Sequence, residues 1–177
     1  MAQNFVGSNN INLLAPNGQF GTRLQGGKDS AAARYIFTAL EPIQSTLISK
    51  MDDPALTWLD DDGQTVEPEY YMPVLPMLLV NGAVGIGTGY STEVLPYNPT
   101  DIVTALRARL REEIGDLTDV GLVPWWDGFS GAVSMSADGR RVTTRGIYQF
   151  VDDERSQVRI TELPVRSEEH TSELQSH

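Results

Sequence analysis

A single helical period, between Asn98 and Gly115, constrains the fold more than any other feature of the chain. Asn98-Pro99 is a typical helix start, because an asparagine side chain can cap the first turn and proline fits the first helical position. Gly115 is a typical helix end. Between them, apolar residues recur at steps of three and four, at Ile102, Val103, Leu106, Leu110 and Ile114. The spacing therefore predicts one amphipathic helix from Asn98 to Ile114.

A capping-box pattern predicts a second helix. Thr38 stands three residues before Glu41, so a helix is expected over roughly residues 39 to 50. Residues 34 to 37 are then expected to be extended, just outside the entrance of that helix. The preceding stretch shows no sustained period, and Asn17-Gly18 and Gly26-Gly27 predict turns between loops and short elements.

Short strands are predicted in the remaining segments. Trp58-Leu59 followed by Asp62-Gly63 predicts a hairpin. Two prolines between Tyr70 and Val80 disfavour a regular helix there. Four runs with strand character follow the long helix and predict a small antiparallel sheet: 131–135, 142–144, 146–151 and 158–162, with turns at Asp138-Gly139 and Asp152-Asp153. Together these elements predict an α+β fold.

The charge of the chain is unevenly distributed around a formal net charge of −11. Residues 1 to 50 hold four basic and two acidic side chains, whereas residues 51 to 100 hold eight acidic and no basic ones. Because phosphate binding depends on Lys and Arg, only the first block can face a polyanion without help. Three of its bases, Arg23, Lys28 and Arg34, flank glycines and serines where backbone can approach a phosphate closely. A solvated loop explains these bases equally well.

Composition excludes several classes of site. The chain has no cysteine, which excludes disulfides, a thiolate nucleophile and a Cys-ligated zinc. Its two histidines, His170 and His177, lie in the final segment RSEEHTSELQSH, which resembles the translation of a common sequencing-library adapter. We therefore expect Arg166 to His177 to be a non-native tail, and a histidine-assisted hydrolase is excluded.

The sequence gives no sign of a membrane or secreted protein. No apolar run approaches the roughly 20 residues needed to cross a bilayer, and the N-terminus lacks a signal-peptide pattern. A soluble protein of the cytoplasm or nucleus, with no membrane partner, is expected.

Three motifs resemble known ligand sites but fail in detail. The segment from Gly21 to Lys28 resembles the phosphate loop GxxxxGK(S/T), but the spacing between its glycines is off by one. Asp29 stands where the serine or threonine of that loop would be. Gly85 to Gly89 resembles a dinucleotide turn, yet Tyr90 replaces the third glycine, and a tight irregular loop is the plainer interpretation. The acidic run Asp60-Asp61-Asp62 is typical of a solvated hairpin tip rather than a metal site.

The Arg34-Tyr35 pair is the remaining chemical candidate. A tyrosine hydroxyl has a pKa near 10, so it acts as a nucleophile only where its phenolate or its target is stabilised. A neighbouring guanidinium can pair with the oxygens of a phosphate and stabilise the transition state. Arg23, Lys28 and the predicted helix entrance would add favourable potential. Taken alone, the dipeptide is commonplace, and a structural role is the favoured interpretation.

Four longer blocks change this assessment. QNFVGSNNINLL, GQFGTRLQGGKDSAAARYIFT, EPEYYMPVLPMLLVNGAVGIGTGYST and ITELPV resemble, in order and spacing, the breakage-reunion core of the eukaryotic and large-virus type IIA DNA topoisomerases. The resemblance extends from Ala2 to Val165. Ala33 departs from it, because many eukaryotic members have proline there. Ser30 to Tyr35 is also similar to the gyrase branch, whereas the glycine-lysine, YIFT and GIGTG segments favour the eukaryotic one.

The resemblance implies a role for each candidate residue. Tyr35 attacks a DNA phosphorus and forms a 5′-phosphotyrosyl link, Arg34 stabilises the transition state, and a second duplex passes through the break. Ile86 of GIGTG wedges between base pairs to bend the duplex, although by its own character it would be placed in the core. Arg23 and Lys28 are expected to bind DNA.

The resemblance also implies how the chain fits a larger protein. Residues 1 to 95 are expected to be the later part of a winged-helix domain, and residues 96 to 165 the start of a tower domain containing the long helix and the sheet. The full-length protein is expected to be a homodimer acting on double-stranded DNA, with Mg²⁺ and ATP bound outside this segment, so no metal ligand is assigned here. The isolated chain is expected to be inactive. A non-cleaving DNA-binding or scaffold relative and a member of the gyrase branch remain alternatives.

Overall fold

The computed structural model describes residues 1–116, 120–137, 141–151 and 157–165. Within these ranges the helices are α1 (Gln44–Leu47), α2 (Met77–Asn81) and α3 (Pro99–Leu110). The strands are β1 (Leu14–Asn17), β2 (Phe37–Leu40), β3 (Trp58–Asp61), β4 (Gln64–Pro68), β5 (Ala83–Gly87), β6 (Tyr90–Val94), β7 (Ala132–Met135), β8 (Val142–Arg145), β9 (Ile147–Phe150) and β10 (Val158–Glu162). Short 3₁₀ turns occur at Arg23–Gln25, Ala33–Tyr35 and Lys50–Ala55. The predicted α+β class is confirmed.

The described strands form five separate two-stranded antiparallel ladders. Four are local hairpins, whereas the β1–β2 ladder closes a long excursion of the chain. The small antiparallel sheet predicted after α3 is confirmed in its strands and their antiparallel pairing, and it is divided between two ladders: β7 pairs with β8, and β9 pairs with β10. The chain changes ladder at Gly146, where a Cβ would overlap the carbonyl oxygen of Glu162. The predicted turns at residues 138–139 and 152–153 lie outside the described residues.

The start of α3 is confirmed and its predicted end is wrong. Asn98 Oδ1 accepts a hydrogen bond from the backbone N–H of Thr100 at 2.9 Å, and Pro99 is the first helical residue. The helix ends at Leu110, whose side chain is 84% exposed, and therefore does not reach Ile114. The apolar spacing continued beyond the point at which the helix packs against the core.

A left-handed glutamate terminates α3. Glu112 has a φ of 60°, its N–H donates to Arg109 O at 3.1 Å, and the N–H of Glu113 donates to Ala108 O at 3.0 Å. These two bonds form the Schellman motif, which satisfies the last carbonyls of a helix. Glycine usually occupies this left-handed position, and for that reason the sequence predicted the helix end at Gly115.

The helix predicted over residues 39 to 50 is also wrong. Residues 37–40 form β2, in which Thr38 pairs with Pro16 of β1, and the N–H of Glu41 extends the contact by donating to Leu13 O at 3.0 Å. Only one helical turn, α1, follows. Pairing with a distant strand has overridden the local capping signal, as tertiary context often does. Residues 33–35 form a 3₁₀ turn rather than the predicted extended segment.

The segment from Trp58 to Val80 contains the predicted hairpin and one helical turn that the prolines disfavoured. The β3–β4 hairpin is confirmed, and its turn residues Asp62 and Gly63 both have positive φ, at 51° and 81°. The absence of regular helix from Tyr70 to Val80 is wrong in part, because α2 begins directly after Pro76. A proline before the first turn costs no helical hydrogen bond.

Asparagine side chains join the N-terminal segment to the core. Asn81 Oδ1 accepts from the N–H of Ile11 while its Nδ2 donates to Ile11 O, both at 2.9 Å. Asn10 Nδ2 donates to the carbonyls of Val80 at 2.8 Å and Trp125 at 3.0 Å. The buried aliphatic and aromatic residues among those described are few: Ala2, Leu47, Val80, Ile102, Ala105 and Trp126.

Candidate active site

Arg34 and Tyr35 lie together on an exposed 3₁₀ turn. The turn is closed by the N–H of Tyr35, which donates to Ala32 O at 2.9 Å. The Tyr35 side chain is 68% exposed, and the guanidinium carbon of Arg34 lies 5.1 Å from the centroid of its ring. A phenol open to solvent therefore has a permanent cation beside it, which is the combination that attack on a phosphate requires.

The β1–β2 ladder fixes the two ends of the segment that carries this turn. Asn17 pairs with Phe37, so residues 18–36 form one excursion from the ladder. Its first part, from Gln19 to Ala31, is a loop that we call the glycine loop. The N–H of Ala31 closes the loop by donating to Gln19 O at 2.9 Å. Tyr35 thus follows a closed loop and lies two residues before a paired strand.

Glycines allow the two sides of the glycine loop to touch. A Cβ on Gly21 would lie 2.6 Å from Gly27 Cα, which no side chain tolerates, and both residues have positive φ. The N–H of Gly27 donates to Thr22 O at 2.9 Å across the same contact. Lys28 is exposed on this loop. Its predicted role as a DNA contact stays a prediction.

Asp29 joins the two sides of the glycine loop through hydrogen bonds. Its carboxylate accepts hydrogen bonds from the backbone N–H and the hydroxyl of Thr22, both at 2.8 Å, and from Gln19 Nε2 at 3.2 Å. The Thr22 N–H, followed by the Thr22 hydroxyl, lowers the pKa of Asp29 below its ordinary value. The carboxylate that made the phosphate-loop motif fail is therefore a structural acceptor.

Arg23 is held by a distant segment. Its Nη2 lies 2.7 Å from Glu162 Oε1 and donates to Leu163 O at 2.9 Å, and its side chain is 26% exposed. The structure thus joins the predicted DNA-binding residue Arg23 to the ITELPV block. Glu162 was absent from the predicted site, because no local pattern indicates which of 24 acidic residues meets a given arginine.

The Glu162 carboxylate is buried and fully engaged. Its side chain is 8% exposed, Oε2 accepts from the N–H of Ser130 at 3.0 Å, and Oε1 also accepts from the N–H of Leu163 at 3.1 Å. Burial acts to raise the pKa of Glu162, but the hydrogen bonds from Ser130 and Arg23 and the charge of Arg23 outweigh it, so that the pKa lies below its ordinary value of 4.5.

This lowered pKa predicts a pH dependence of stability. The charged carboxylate stabilises the folded chain fully above the ordinary value of 4.5, and this contribution is lost as the pH falls through the lower folded pKa. The unfolding free energy of the parent chain should therefore fall below pH 4.5 more steeply than that of Glu162→Gln, by up to about 1.4 kcal/mol per pH unit. Denaturant titrations from about pH 5 to about pH 3 measure the slope of the unfolding free energy against pH for both proteins. Identical slopes would contradict a lowered pKa for Glu162.

Ile86 projects from a hairpin separate from the Arg34–Tyr35 turn. It pairs with Ser91 next to the tight turn at Thr88-Gly89, and its side chain is 87% exposed, so it is not a core residue. The β5–β6 ladder is regular, which corrects the irregular loop expected for these glycines. Gly87 gives the Tyr90 ring its place, because a Cβ there would overlap that ring. Ile86 is therefore an exposed apolar side chain on a regular hairpin.

The described part of the chain does not supply a metal centre. Within it, no group of three or more His, Cys, Asp or Glu side chains is arranged to hold a metal ion. Asp60, Asp61 and Asp62 are exposed at the β3–β4 turn, where Asp60 Oδ1 accepts from the N–H of Gly63 at 3.0 Å. These residues do not fit a Mg²⁺ site. In the same described ranges, no helix has the length and apolar character needed to span a membrane.

The A-subunit family of DNA gyrase and topoisomerase IV matches residues 1–176, and the chain belongs to this family. Among similar proteins, DNA topoisomerase 2 of Arabidopsis thaliana is 51% identical over 181 residues, covering 99% of this chain and 12% of that protein. DNA topoisomerase 2 of Drosophila melanogaster is 48% identical over 165 residues, covering 93% of this chain and 11% of that protein.

A solved structure agrees with these relatives. The Plasmodium falciparum topoisomerase II DNA-binding, cleavage and re-ligation domain matches with a TM-score of 0.83 and 42% identity, over 98% of this chain and 23% of that one. The resemblance to type IIA topoisomerases is therefore confirmed. The chain spans about an eighth of the length of the first curated relatives, which the 12% coverage expresses.

Proposed function

We propose that this chain is the segment of an ATP-dependent type IIA DNA topoisomerase that carries the nucleophile for DNA cleavage. The observation that supports it most is the Arg34–Tyr35 turn, in which an exposed phenol lies beside a guanidinium 5.1 Å from its ring. Similarity to DNA topoisomerase 2 of several organisms supports the same assignment. Residues 1 to 95 are proposed to belong to a winged-helix domain and residues 96 to 165 to a tower domain.

The proposed reaction is a transesterification. Tyr35 Oη forms a bond to a DNA phosphorus as the bond from that phosphorus to the 3′ oxygen breaks, the phenol proton is released, and the 3′ oxygen takes up a proton. One phosphoester is exchanged for another, so the 5′-phosphotyrosyl link can be reversed by attack of the 3′ hydroxyl. The Arg34 guanidinium pairs with the non-bridging oxygens and stabilises their charge in the transition state.

The complete protein is proposed to act as a homodimer that cuts both strands of double-stranded DNA and passes a second duplex through the gap. ATP and Mg²⁺ would serve this cycle through parts of the protein outside this segment. The chain's own contribution is the nucleophile, its guanidinium partner, the Lys28-bearing glycine loop and the apolar wedge Ile86.

End-labelled DNA tests the proposal directly. The full-length protein is incubated with a duplex labelled at either the 3′ or the 5′ ends, and the reaction is stopped with denaturant. Attachment of protein to newly formed 5′ ends is expected, together with relaxation of supercoiled plasmid. Tight DNA binding without any attachment would instead identify a non-cleaving relative, and ATP-dependent introduction of negative supercoils would identify a protein of the gyrase branch.

Ile86→Ala is expected to reduce DNA bending while leaving the fold intact. The side chain is 87% exposed, so its removal costs little folding energy, whereas the lost wedge normally offsets an unstacking cost of a few kcal/mol per base step. Energy transfer between dyes at the duplex ends measures the bend, and cleavage should fall in parallel. Val84→Ala, on the same strand and 57% exposed, is the matched control. An unchanged bend in Ile86→Ala would contradict the wedge.

A further inference from the structure

Glu162 is the one buried charged residue among those the structure describes, and it joins three segments. Its two oxygens accept hydrogen bonds from Ser130 and Leu163 and meet the guanidinium of Arg23. Burying a carboxylate without such partners is costly, whereas a carboxylate with several donors is held in one geometry. The contact therefore fixes Arg23, at the start of the glycine loop, against residues 130 and 162–163.

The backbone is shaped to aim this carboxylate inward. In β10, Ile160 pairs with Tyr148 and Glu162 pairs with Ile147, so Thr161 is an extra residue that forms a β-bulge. Bulges commonly redirect a side chain. The other residues of β10 are exposed and Glu162 is buried. Gly146 is required at the same place, because a Cβ there would overlap the carbonyl oxygen of Glu162.

The arginine that Glu162 holds belongs to the excursion that carries the nucleophile. Arg23 is the first residue of the 3₁₀ turn Arg23–Gln25, which belongs to the glycine loop. The N–H of Gly26 closes this turn by donating to Arg23 O at 3.1 Å. The loop closes at Ala31, four residues before Tyr35. Both ends of the excursion are already clamped by the β1–β2 ladder, and Gln3 Nε2 donates to Phe20 O at 2.9 Å, so the ion pair adds a further anchor.

We propose that Glu162 is a positioning residue which, through Arg23, holds the glycine loop and the Arg34–Tyr35 turn in place relative to Ser130 and residues 162–163. This inference rests on the proposed function. Because a displacement of about 1 Å in a reacting group can slow a reaction by a hundredfold, an anchor of this kind affects the rate of cleavage more than the affinity for DNA.

The competing role for Arg23 is a direct contact with a DNA phosphate. The two roles differ in their salt dependence. Loss of a phosphate contact weakens DNA binding and lowers the slope of log K against log salt by about one. Loss of an anchor leaves that slope unchanged. If the contact role were correct, removal of the Glu162 charge would leave more of the positive charge of Arg23 available to phosphate, and would therefore leave cleavage intact or enhance it.

A double-mutant cycle in the full-length protein tests the proposal. Glu162→Gln, Arg23→Gln and the double variant are each expected to slow adduct formation at saturating DNA by the same factor, on the order of ten- to a hundredfold. The dissociation constant for DNA should change by less than about twofold, with an unchanged salt slope. Arg23→Lys keeps a cation for Glu162 and should recover most of the rate. Glu113→Gln, in the exposed Arg111–Glu113 pair at 3.9 Å, is the matched control and should cleave at the parental rate.

Several outcomes would overturn the positioning role. One is a double variant whose loss of cleavage rate is the product of the two single losses, and another is Glu162→Gln cleaving at the parental rate. A salt slope of DNA binding lowered by about one in Arg23→Gln would show a phosphate contact instead. A loss of cleavage rate equal to the unfolded fraction in a melting curve would show that the variant is only destabilised. Failure of the proposed function looks different, because the parental protein itself would then form no adduct. Parental adduct with parental rates in both single variants would remove only the positioning proposal.

Discussion

Replacing Tyr35 with phenylalanine in the full-length protein is expected to abolish the covalent protein–DNA adduct. The change removes one oxygen from a side chain that is 68% exposed, so the fold and the neighbouring Arg34 are preserved. Without the phenolic oxygen no phosphotyrosyl bond can form, and the loss of adduct should amount to several orders of magnitude. DNA affinity should stay within about twofold, because phosphate binding depends on the cationic side chains.

The measurement is denaturing electrophoresis of radiolabelled DNA with the parental protein and the variant. Tyr90→Phe is the matched control, since that tyrosine is 73% exposed on the β5–β6 hairpin and is given no chemical role. It should form parental amounts of adduct. Adduct formation by Tyr35→Phe at a parental level would assign the nucleophile to another residue.

Replacing Arg34 with glutamine is expected to slow cleavage by about a hundred- to a thousandfold. This is the usual effect of removing one preorganised donor that stabilises charge in a transition state, and it corresponds to about 3–4 kcal/mol. The guanidinium lies over the exposed Tyr35 ring and is not part of the buried core, so the variant should remain folded. Arg34→Lys should recover only part of the rate, because an ammonium keeps the charge and loses the planar fork.

Single-turnover kinetics at saturating DNA measure this effect separately from binding. Arg111→Gln, at a side chain 70% exposed in the Arg111–Glu113 pair, controls for the loss of one positive charge. A large rise in the dissociation constant with an unchanged cleavage rate in Arg34→Gln would show that Arg34 binds DNA in the ground state and does not stabilise the transition state.

Local signals in the sequence predicted local structure. The Asn98-Pro99 start of α3 needs only its own first turn, and its cap forms as predicted. The Asp62-Gly63 turn likewise follows from two residues that tolerate positive φ. By contrast, Thr38 and Glu41 carry a sound helix signal but lie in or beside β2, because pairing with β1 satisfies their backbone instead.

The candidate site was predictable only where its members are neighbours in sequence. Arg34 and Tyr35 adjoin, and the family resemblance directed attention to both. The residue-based placement of Ile86 in the core is wrong, since one exposed isoleucine among glycines has no periodic pattern to mark its side. The Arg23–Glu162 pair depends on a bulge in β10 and on the meeting of distant segments, neither of which a single sequence expresses.

The most direct test of the proposed nucleophile is the chemical identity of the protein–DNA bond. The full-length protein is trapped on DNA with denaturant, digested with a nuclease and a protease, and the nucleotide-bearing peptide is sequenced by mass spectrometry. A nucleotide joined through its 5′ phosphate to Tyr35 is expected. A nucleotide on any of the other tyrosines, at positions 70, 71, 90, 97 and 148, or a link through a 3′ phosphate, would contradict the proposed cleavage chemistry.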